Sequence, residues 1–329
     1  MNAAVAGVIV NFNAKPHLLR CVASLLEERV DPVVVVDNGS TDGSEEALAQ
    51  DFPGVKWIPM GANIGYGAAV NQGAAVTGAK YLLVSNPDVV VDPGAVQALV
   101  ALLERRADVA AVGPLIVDAT GRLYPSARRF PNLAEAVGHA IVGQFWPGNP
   151  FSRRYTMAEW DHGRAREVDW VSGSCFLARR DAWEAVGGFD SSYFMYMEDV
   201  DLCWRLRKAG WEVAYEPLAR VTHVQGVSAD RHPYRMLLAH HVSMWRFAWR
   251  TTEGQARWLL TLVLPGLAMR LGITVLRRWL AGARSTGSGA RPTGTRPTGG
   301  RAANGPGRGW GPRLGDEPGA RPTGGRAAQ

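Results

Sequence analysis

From Val5 to Val117 the chain alternates between short apolar runs and amphipathic stretches. VAGVIVNF is a β-branched run with the length of a strand. A helical period follows over Pro16–Glu28, with Leu18, Leu19, Val22, Leu25 and Leu26 on one side. The beat then repeats. PVVVVDNGSTDGS reads as a buried strand ending in a turn, Ser44–Gln50 as a helix, VKWIPM as a strand and Gly65–Val76 as a helix. KYLLVSNPDVVV reads as the next strand, Pro93–Arg105 as a helix and VAAVGPLI as a strand. Strands this uniformly apolar are covered on both faces. In a βαβα series that predicts an α/β fold with a mostly parallel central sheet and flanking helices.

The pattern then becomes mixed. DWVSGSCFLARR reads as one strand, RDAWEAVGGF as a short helix closed by Gly187 and Gly188, and Glu198–Ala209 as a helix ending at Gly210. WEVAYEPLARVTHV reads as one or two strands, and Pro233–Arg250 as an aromatic-rich helix. Trp258–Leu280 is apolar and long enough to cross a membrane. Against that, it carries Arg270 at its middle, a cost of about 2.5–3.5 kcal/mol on insertion scales, and a Pro265–Gly266 break. Arg257, Arg277 and Arg278, with Trp258 and Trp279, suit a C-terminal helix lying in the membrane interface. Packing on the core is the alternative. After Ala281 the chain is low-complexity, with RPTGGRAA at Arg296–Ala303 and again at Arg321–Ala328, which predicts disorder. The expected organisation is a folded domain over 1–252, an amphipathic membrane-associating segment over 253–280 and a disordered tail over 281–329.

Apolar content of 47% against 20% charged predicts a sizeable core. The net charge of +6 belongs to the tail: after Ala281 there are eight arginines against Asp316 and Glu317, so residues 1–280 are neutral. No nucleic-acid partner is expected. Cys21, Cys175 and Cys203 are odd in number and widely spaced, which argues for a reducing, cytoplasmic setting without a disulfide framework. MNAAVAGVIVNFNAK lacks a basic leader region, so a buried strand explains it better than a signal peptide.

Ligands of open α/β sheets bind beyond the carboxyl ends of the strands. Three apolar runs end in polar residues there: Asn11 and Asn13; Asp37, Asn38 and Gly39; Asn86 and Asp88. Singly these are turn chemistry, but Asp37 and Asp88 at two strand ends together point to a site. Asp42 and Ser44 suit a helix start. GANIGYGAAVNQG opens a helix and can cradle a phosphate. No Walker lysine motif is present, nor a Gly-x-Gly-x-x-Gly after the first strand. YFMYMEDVDLCWRL sets three acids behind an aromatic, methionine-rich run. In a helix starting near Glu198, Asp199 points with the buried stripe of Leu202, Cys203, Leu206 and Ala209. Asp201 forms an ordinary pair with Arg205. The helix dipole accounts for Glu198. It does not account for Asp199, whose place suits a general base.

The ordered set VNFN, VVDNGSTDGS, GANIGYGAAVN, SNPDV, GGFDSSYFMYMEDVDLCWRL and THVQGVS resembles the family 2 glycosyltransferases with the GT-A fold, over about Val5–Arg250. GPLIVDATGRLYPSARRFP, FWPGNPF, WVSGSCFLARR and LLAHH more narrowly resemble actinobacterial rhamnosyltransferases that add L-rhamnose to N-acetylglucosaminyl-diphospho-decaprenol in building the arabinogalactan linker of the cell wall. The resemblance implies a nucleotide-sugar-binding half over 1–115 and an acceptor-binding half over 116–252. It implies that Asp37 and Asn38 meet the nucleotide, with Asn11 and Asn13 nearby, and that Asn63 and Gly65 lie by its sugar. Asn86-Pro87-Asp88 takes the family's Asp-x-Asp position, so Asp88 with His223 would hold Mg²⁺ or Mn²⁺, with one charge fewer because Asn86 replaces an acid. Asp199 matches the catalytic base, with Glu198 as the neighbouring alternative. Trp170, Ser172, Gly173 and Met197 would line the acceptor pocket, and Arg128 would meet the acceptor diphosphate. A single base with direct attack inverts the anomeric centre. The implied partners are dTDP-L-rhamnose, a polyprenyl-diphosphate-linked N-acetylglucosamine and the inner face of the cell membrane, where the enzyme would be peripheral. A homodimer is left open. The alternatives are another donor, such as a UDP-hexose or UDP-galactofuranose, and an inactive membrane-associated scaffold, which would have no use for Asp88, Asp199 and His223. A sugar nucleotidyltransferase would show a Gly-rich basic loop where this chain has VNFNAKPHLLR.

Overall fold

The computed structural model describes residues 5–130, 160–224 and 233–254, with single positions at 146 and 149 and a few between 257 and 273. FWPGNPF for the most part, the residues after Val224 in THVQGVS, most of 253–280 and all of 281–329 lie outside the described residues.

The first half runs β1 (Val5–Asn11), α1 (Lys15–Glu27), β2 (Val33–Asp37), α2 (Ser44–Asp51), β3 (Lys56–Pro59), α3 (Tyr66–Ala75) and β4 (Tyr81–Ser85). β1 pairs in parallel with β2 and β4, and β2 with β3. Every residue of β1, β2 and β4 is buried, which is why these runs are apolar throughout rather than alternating. Val8, Val34, Val36 and Val84 face one core cluster. Ile9, Val33, Val35 and Leu83 face the other, against Leu18, Val22 and Leu25 of α1.

The chain continues through β5 (Val89–Val91), α4 (Ala95–Arg105), β6 (Val109–Val117), β7 (Leu123–Tyr124), β8 (Ala127–Arg128), β9 (Arg166–Val168), β10 (Trp170–Val171) and β11 (Cys175–Arg179). It ends in α5 (Arg180–Ala185), α6 (Glu198–Lys208), β12 (Glu212–His223) and α7 (Pro233–Thr251). The main sheet has the order β3-β2-β1-β4-β11-β6-β12-β5. Along this order β11 and β5 run against the rest, as do the short strands β7 and β9 that pair beside β6 and β12, so the sheet's long strands are mostly parallel, as the pattern predicts. Among the described residues no helix is long and apolar enough to cross a membrane. The three cysteines are free and buried, and burial pushes the Cys21 and Cys203 thiols up to about 12.

Two expected single strands are broken, and each break makes a turn at the sheet's edge. KYLLVSNPDVVV divides into β4 and β5. The Asn86 N–H leaves the ladder for the Ser174 carbonyl at 2.8 Å, and Pro87 has no N–H to give. β5 then crosses to β12, with Val89 opposite His223. DWVSGSCFLARR divides too: Trp170 and Val171 pair with Arg128 and Ala127, and Cys175 onward pairs with β4. Ser172–Ser174 forms the turn between them. WEVAYEPLARVTHV is one strand, with its register shift between Glu216 and Arg220 at Pro217.

Asp201 forms the expected pair with Arg205, at 2.7 Å, and its carboxylate is fully buried. It also meets Arg250 of α7 at 3.2 Å and the Tyr193 hydroxyl at 3.4 Å. One acid thus ties α6 to α7, and removing it strands a largely buried guanidinium. Asp201→Ala is expected to cost about 3 kcal/mol in urea unfolding. A cost below about 1 kcal/mol would mean that water readily replaces the carboxylate.

Candidate active site

At the carboxyl ends of β1 and β2, Asn11 lies opposite Asp37 in register. Asp37 Oδ1 accepts from Asn11 Nδ2 at 2.9 Å and from the Ser40 hydroxyl, while Oδ2 accepts the Gly39 and Ser40 N–H groups at 3.1 and 2.8 Å. Asp37 is therefore the organiser of its loop, with both oxygens engaged. Ser40 Oγ accepts the Asn13 N–H at 2.8 Å, and Asn13 Oδ1 accepts the Thr41 N–H at 2.8 Å. Ser40 was not singled out in the sequence, although a hydroxyl three residues after a turn aspartate is a usable signal. Asn38 Nδ2 donates to the Gly65 carbonyl at 3.3 Å. Asn11 Oδ1 and Asn38 Oδ1 are left buried without a partner among the described residues. Asp42, as expected of a helix-start residue, accepts from the Lys15 and Ser44 N–H groups at 2.9 and 3.2 Å.

The glycine-rich helix start is used differently from a phosphate cradle. Gly65 has φ +95°, and a Cβ there would lie 2.7 Å from the Phe194 carbonyl oxygen, so only glycine fits. The Tyr66 N–H donates to that same oxygen at 3.0 Å, and the Gly65 N–H to Asn63 Oδ1 at 3.0 Å. Both N–H groups are thus committed to the chain itself, and the start of α3 docks the loop before α6. The Tyr66 hydroxyl donates to the Gly173 carbonyl at 2.6 Å. Tyr66 was missed because nothing in GYG distinguishes it from core.

The β4–β5 turn and the end of β12 bring Asp88 and His223 together. His223 Nε2 lies 3.0 Å from Asp88 Oδ1, both side chains are buried, and His223 Nδ1 has no partner among the described residues. A divalent ion bound at about 2.1 Å holds adjacent ligands about 3 Å apart, so this pair is spaced as two neighbouring ligands. Among the described residues no group of three or more His, Cys, Asp and Glu could hold a metal. Two protein donors fit a hard cation that takes its other ligands from phosphate and water.

The acidic pair sits at the start of α6, after two consecutive residues with positive φ, Tyr196 (67°) and Met197 (70°). Such backbone is costly for side-chain-bearing residues, and here it aims the first turn of the helix. Asp199 is half-buried. Its Oδ2 accepts the Gly173 N–H at 2.8 Å and its Oδ1 the Val200 N–H at 2.8 Å. Burial raises its pKa, and the backbone donors and the nearby Arg128 charge oppose that rise. Glu198 departs from expectation. It is only 6% exposed, Oε2 has no partner, and burial, then the charge of Asp199, pushes its pKa up to about 8. A dipole-anchored surface acid would do none of this.

The Ser172–Ser174 turn joins the two halves of the site. Its Ser174 carbonyl accepts from Asn86, and its Gly173 N–H donates to Asp199. Trp170 is buried, with its indole N–H on the Arg129 carbonyl at 3.0 Å and the Arg128 guanidinium 5.3 Å from its ring centre.

A family model described as glycosyl transferase family 2 matches residues 8–187. Over 282 residues, 82% of this chain and 92% of the relative, the sequence is 44% identical to the N-acetylglucosaminyl-diphospho-decaprenol L-rhamnosyltransferase of Mycobacterium tuberculosis. It is 26% identical to the rhamnosyltransferase WbbL of Escherichia coli K12 over 226 residues, 66% of this chain and 81% of that one. Among solved structures, the mannosyltransferase PcManGT of Pyrobaculum calidifontis in complex with GDP-Man and Mn²⁺ aligns with a TM-score of 0.51 at 17% identity, covering 88% of this chain and 76% of that one. That last likeness is one of fold.

Proposed function

The chain belongs to glycosyl transferase family 2, with the GT-A fold, and on that premise we propose that it transfers L-rhamnose from dTDP-L-rhamnose to a polyprenyl-diphosphate-linked N-acetylglucosamine, inverting the anomeric centre. The observation that carries the reaction type is the Ser172–Ser174 turn, which hydrogen-bonds on one side to Asn86, two residues before Asp88, and on the other to Asp199. The 44% identity to the mycobacterial rhamnosyltransferase favours this donor and acceptor.

The acceptor hydroxyl is a poor nucleophile and must lose its proton as it attacks. Asp199 has each oxygen fixed by one backbone N–H and keeps lone pairs for that proton. Burial adds to its basicity. One base and direct attack give inversion, without the second flanking carboxylate that glycosidases need. Asp88 and His223 would hold Mg²⁺ or Mn²⁺ at the donor diphosphate. When bound, the cation supplies positive charge to the oxygens of the leaving nucleoside diphosphate. The unpartnered Asn11 Oδ1 and Asn38 Oδ1 suit an N–H donor such as the pyrimidine N3–H of thymine or uracil. Residues 1–115 serve the nucleotide sugar and 116–252 the acceptor, with Arg128 supplying charge to the acceptor diphosphate.

A membrane-linked acceptor also gives a use to the outer side of α7. Leu238, Val242 and Trp249 are exposed there, followed by Trp258, and Arg246 and Arg257 lie over aromatic rings. Apolar and aromatic groups mixed with arginines suit peripheral contact with a lipid surface. The test is transfer of labelled rhamnose from dTDP-L-rhamnose to a short-chain polyprenyl-diphosphate N-acetylglucosamine with Mg²⁺, with UDP-glucose and UDP-galactofuranose as competing donors. A labelled lipid product of inverted configuration is expected. Preference for a UDP-sugar would replace the donor. No transfer by folded enzyme that still binds dTDP would replace the acceptor.

A further inference from the structure

We propose that Glu198 is a positioning residue that works only while it carries a proton, its neutral carboxyl wedged between α3 and α6 behind Asp199 so that its ionisation switches the base off. The proposal rests on the reading of Asp199 as the base. Glu198 is nine-tenths buried, and Oε2 has no hydrogen-bond partner among the described residues. Its Cβ packs against α3 at Gly67, where an added Cβ would lie 3.6 Å from it and 2.9 Å from Phe189. A neutral carboxyl tolerates this place, but a buried anion with an empty oxygen does not.

The ionisable groups around it offer no relief. Asp199 precedes it in ease of ionisation, because it accepts the Gly173 and Val200 N–H bonds and feels Arg128. Tyr66 on α3 has its hydroxyl pushed well up by burial, then by the charges of Glu198, Asp199, Cys175 and Asp88. Among the described residues no cation is paired with Glu198; burial and the Asp199 charge are what hold its proton, to about pH 8. Two acids whose surroundings part their titrations divide the roles: one holds a proton while the other accepts one. If Glu198 loses its proton, two carboxylates stand side by side with no proton between them, and the water that enters between α3 and α6 to solvate them displaces the poised base. The two apparent values belong to the pair.

The test compares wild type with Glu198→Gln, which keeps the shape and cannot ionise. For wild type, kcat/KM is expected to fall about tenfold per pH unit above pH 8. For Glu198→Gln, transfer at pH 7 is expected within about tenfold of wild type, with a flat alkaline limb. Stability provides a second readout that does not depend on the sugar or the acceptor. The folded protein holds the Glu198 proton to about 8, while an unfolded glutamate releases it near 4.5. Between those values the unfolded chain binds fewer protons, so this group's contribution to stability is lost as pH rises, and is level above about 8. The Tm of Glu198→Gln should therefore gain on that of wild type from pH 5 to 8 and then run parallel. A parallel alkaline fall in both proteins, a constant Tm difference, or a folded Glu198→Gln as dead at pH 7 as an Asp199 variant would overturn the proposal. If wild type transfers no rhamnose at all, the donor and acceptor reading fails, while the Tm series still decides whether Glu198 keeps its proton in the fold, without which the proposal falls.

Discussion

Asp199→Asn is expected to lower kcat about 10³–10⁴-fold, the upper range for loss of a general base, while donor binding stays near wild type. An amide cannot take a proton at neutral pH. It can still accept one of the two backbone N–H groups that hold the carboxylate, Gly173 or Val200, but its NH₂ then faces the other donor. That local conflict costs about 1–2 kcal/mol of stability, which leaves the protein folded and the comparison fair. Single-turnover transfer at saturating donor reads the chemical step. The ordering is as informative as the size. Asp199→Asn should be far slower than Glu198→Gln at pH 7, because one removes the proton acceptor and the other only the ability of its neighbour to ionise. Asp199→Asn activity within tenfold of wild type would move the base elsewhere.

Much of the frame behind this prediction was legible in the chain. Buried parallel strands announce themselves by uninterrupted runs such as VVVV in β2, whose five residues are all buried. The polar residues closing those runs, Asn11, Asp37, Asn86 and Asp88, do gather at one edge because parallel strands put their ends on the same side. Periodicity could not show where a run breaks. Pro87 is a local mark of the first break, but the hydrogen bond that joins the two turns, Asn86 to Ser174, spans 88 residues of sequence and leaves no local trace. The relative depth of adjacent acids was also illegible. Helical period sends Asp199 inward, yet Glu198 is the more buried, because Tyr196 and Met197 at positive φ turn the helix start toward α3. The spacing shows the pair of Asp201 with Arg205 but not its second partner, Arg250, which lies on a distant helix. Where long-range partners decide, the sequence shows the residue type and the fold shows its role.

Asp88→Ala is expected to raise the Mg²⁺ or Mn²⁺ concentration for half-maximal activity at least 100-fold, more than the 10–100-fold typical of losing a residue that merely supports a ligand. The reason is the short supply of charge. Asn86 stands where a second acid would strengthen the site, and among the described residues His223 is the side chain within hydrogen-bond reach of the Asp88 carboxylate. Removing Asp88 leaves one imidazole nitrogen, a weak holder of a hard cation by itself. His223→Ala should be milder, because the carboxylate and the donor diphosphate keep most of the negative charge. The converse substitution sharpens the test. Asn86→Asp adds a carboxylate beside Asp88 and should lower the metal requirement, provided its backbone N–H keeps the Ser174 carbonyl at 2.8 Å. Metal titrations of transfer, with dTDP binding measured at each concentration, separate loss of the ion from loss of the nucleotide. An Asp88→Ala curve that overlays wild type would remove this pair from the metal site, and EDTA-resistant transfer by the wild type would remove the metal from the reaction.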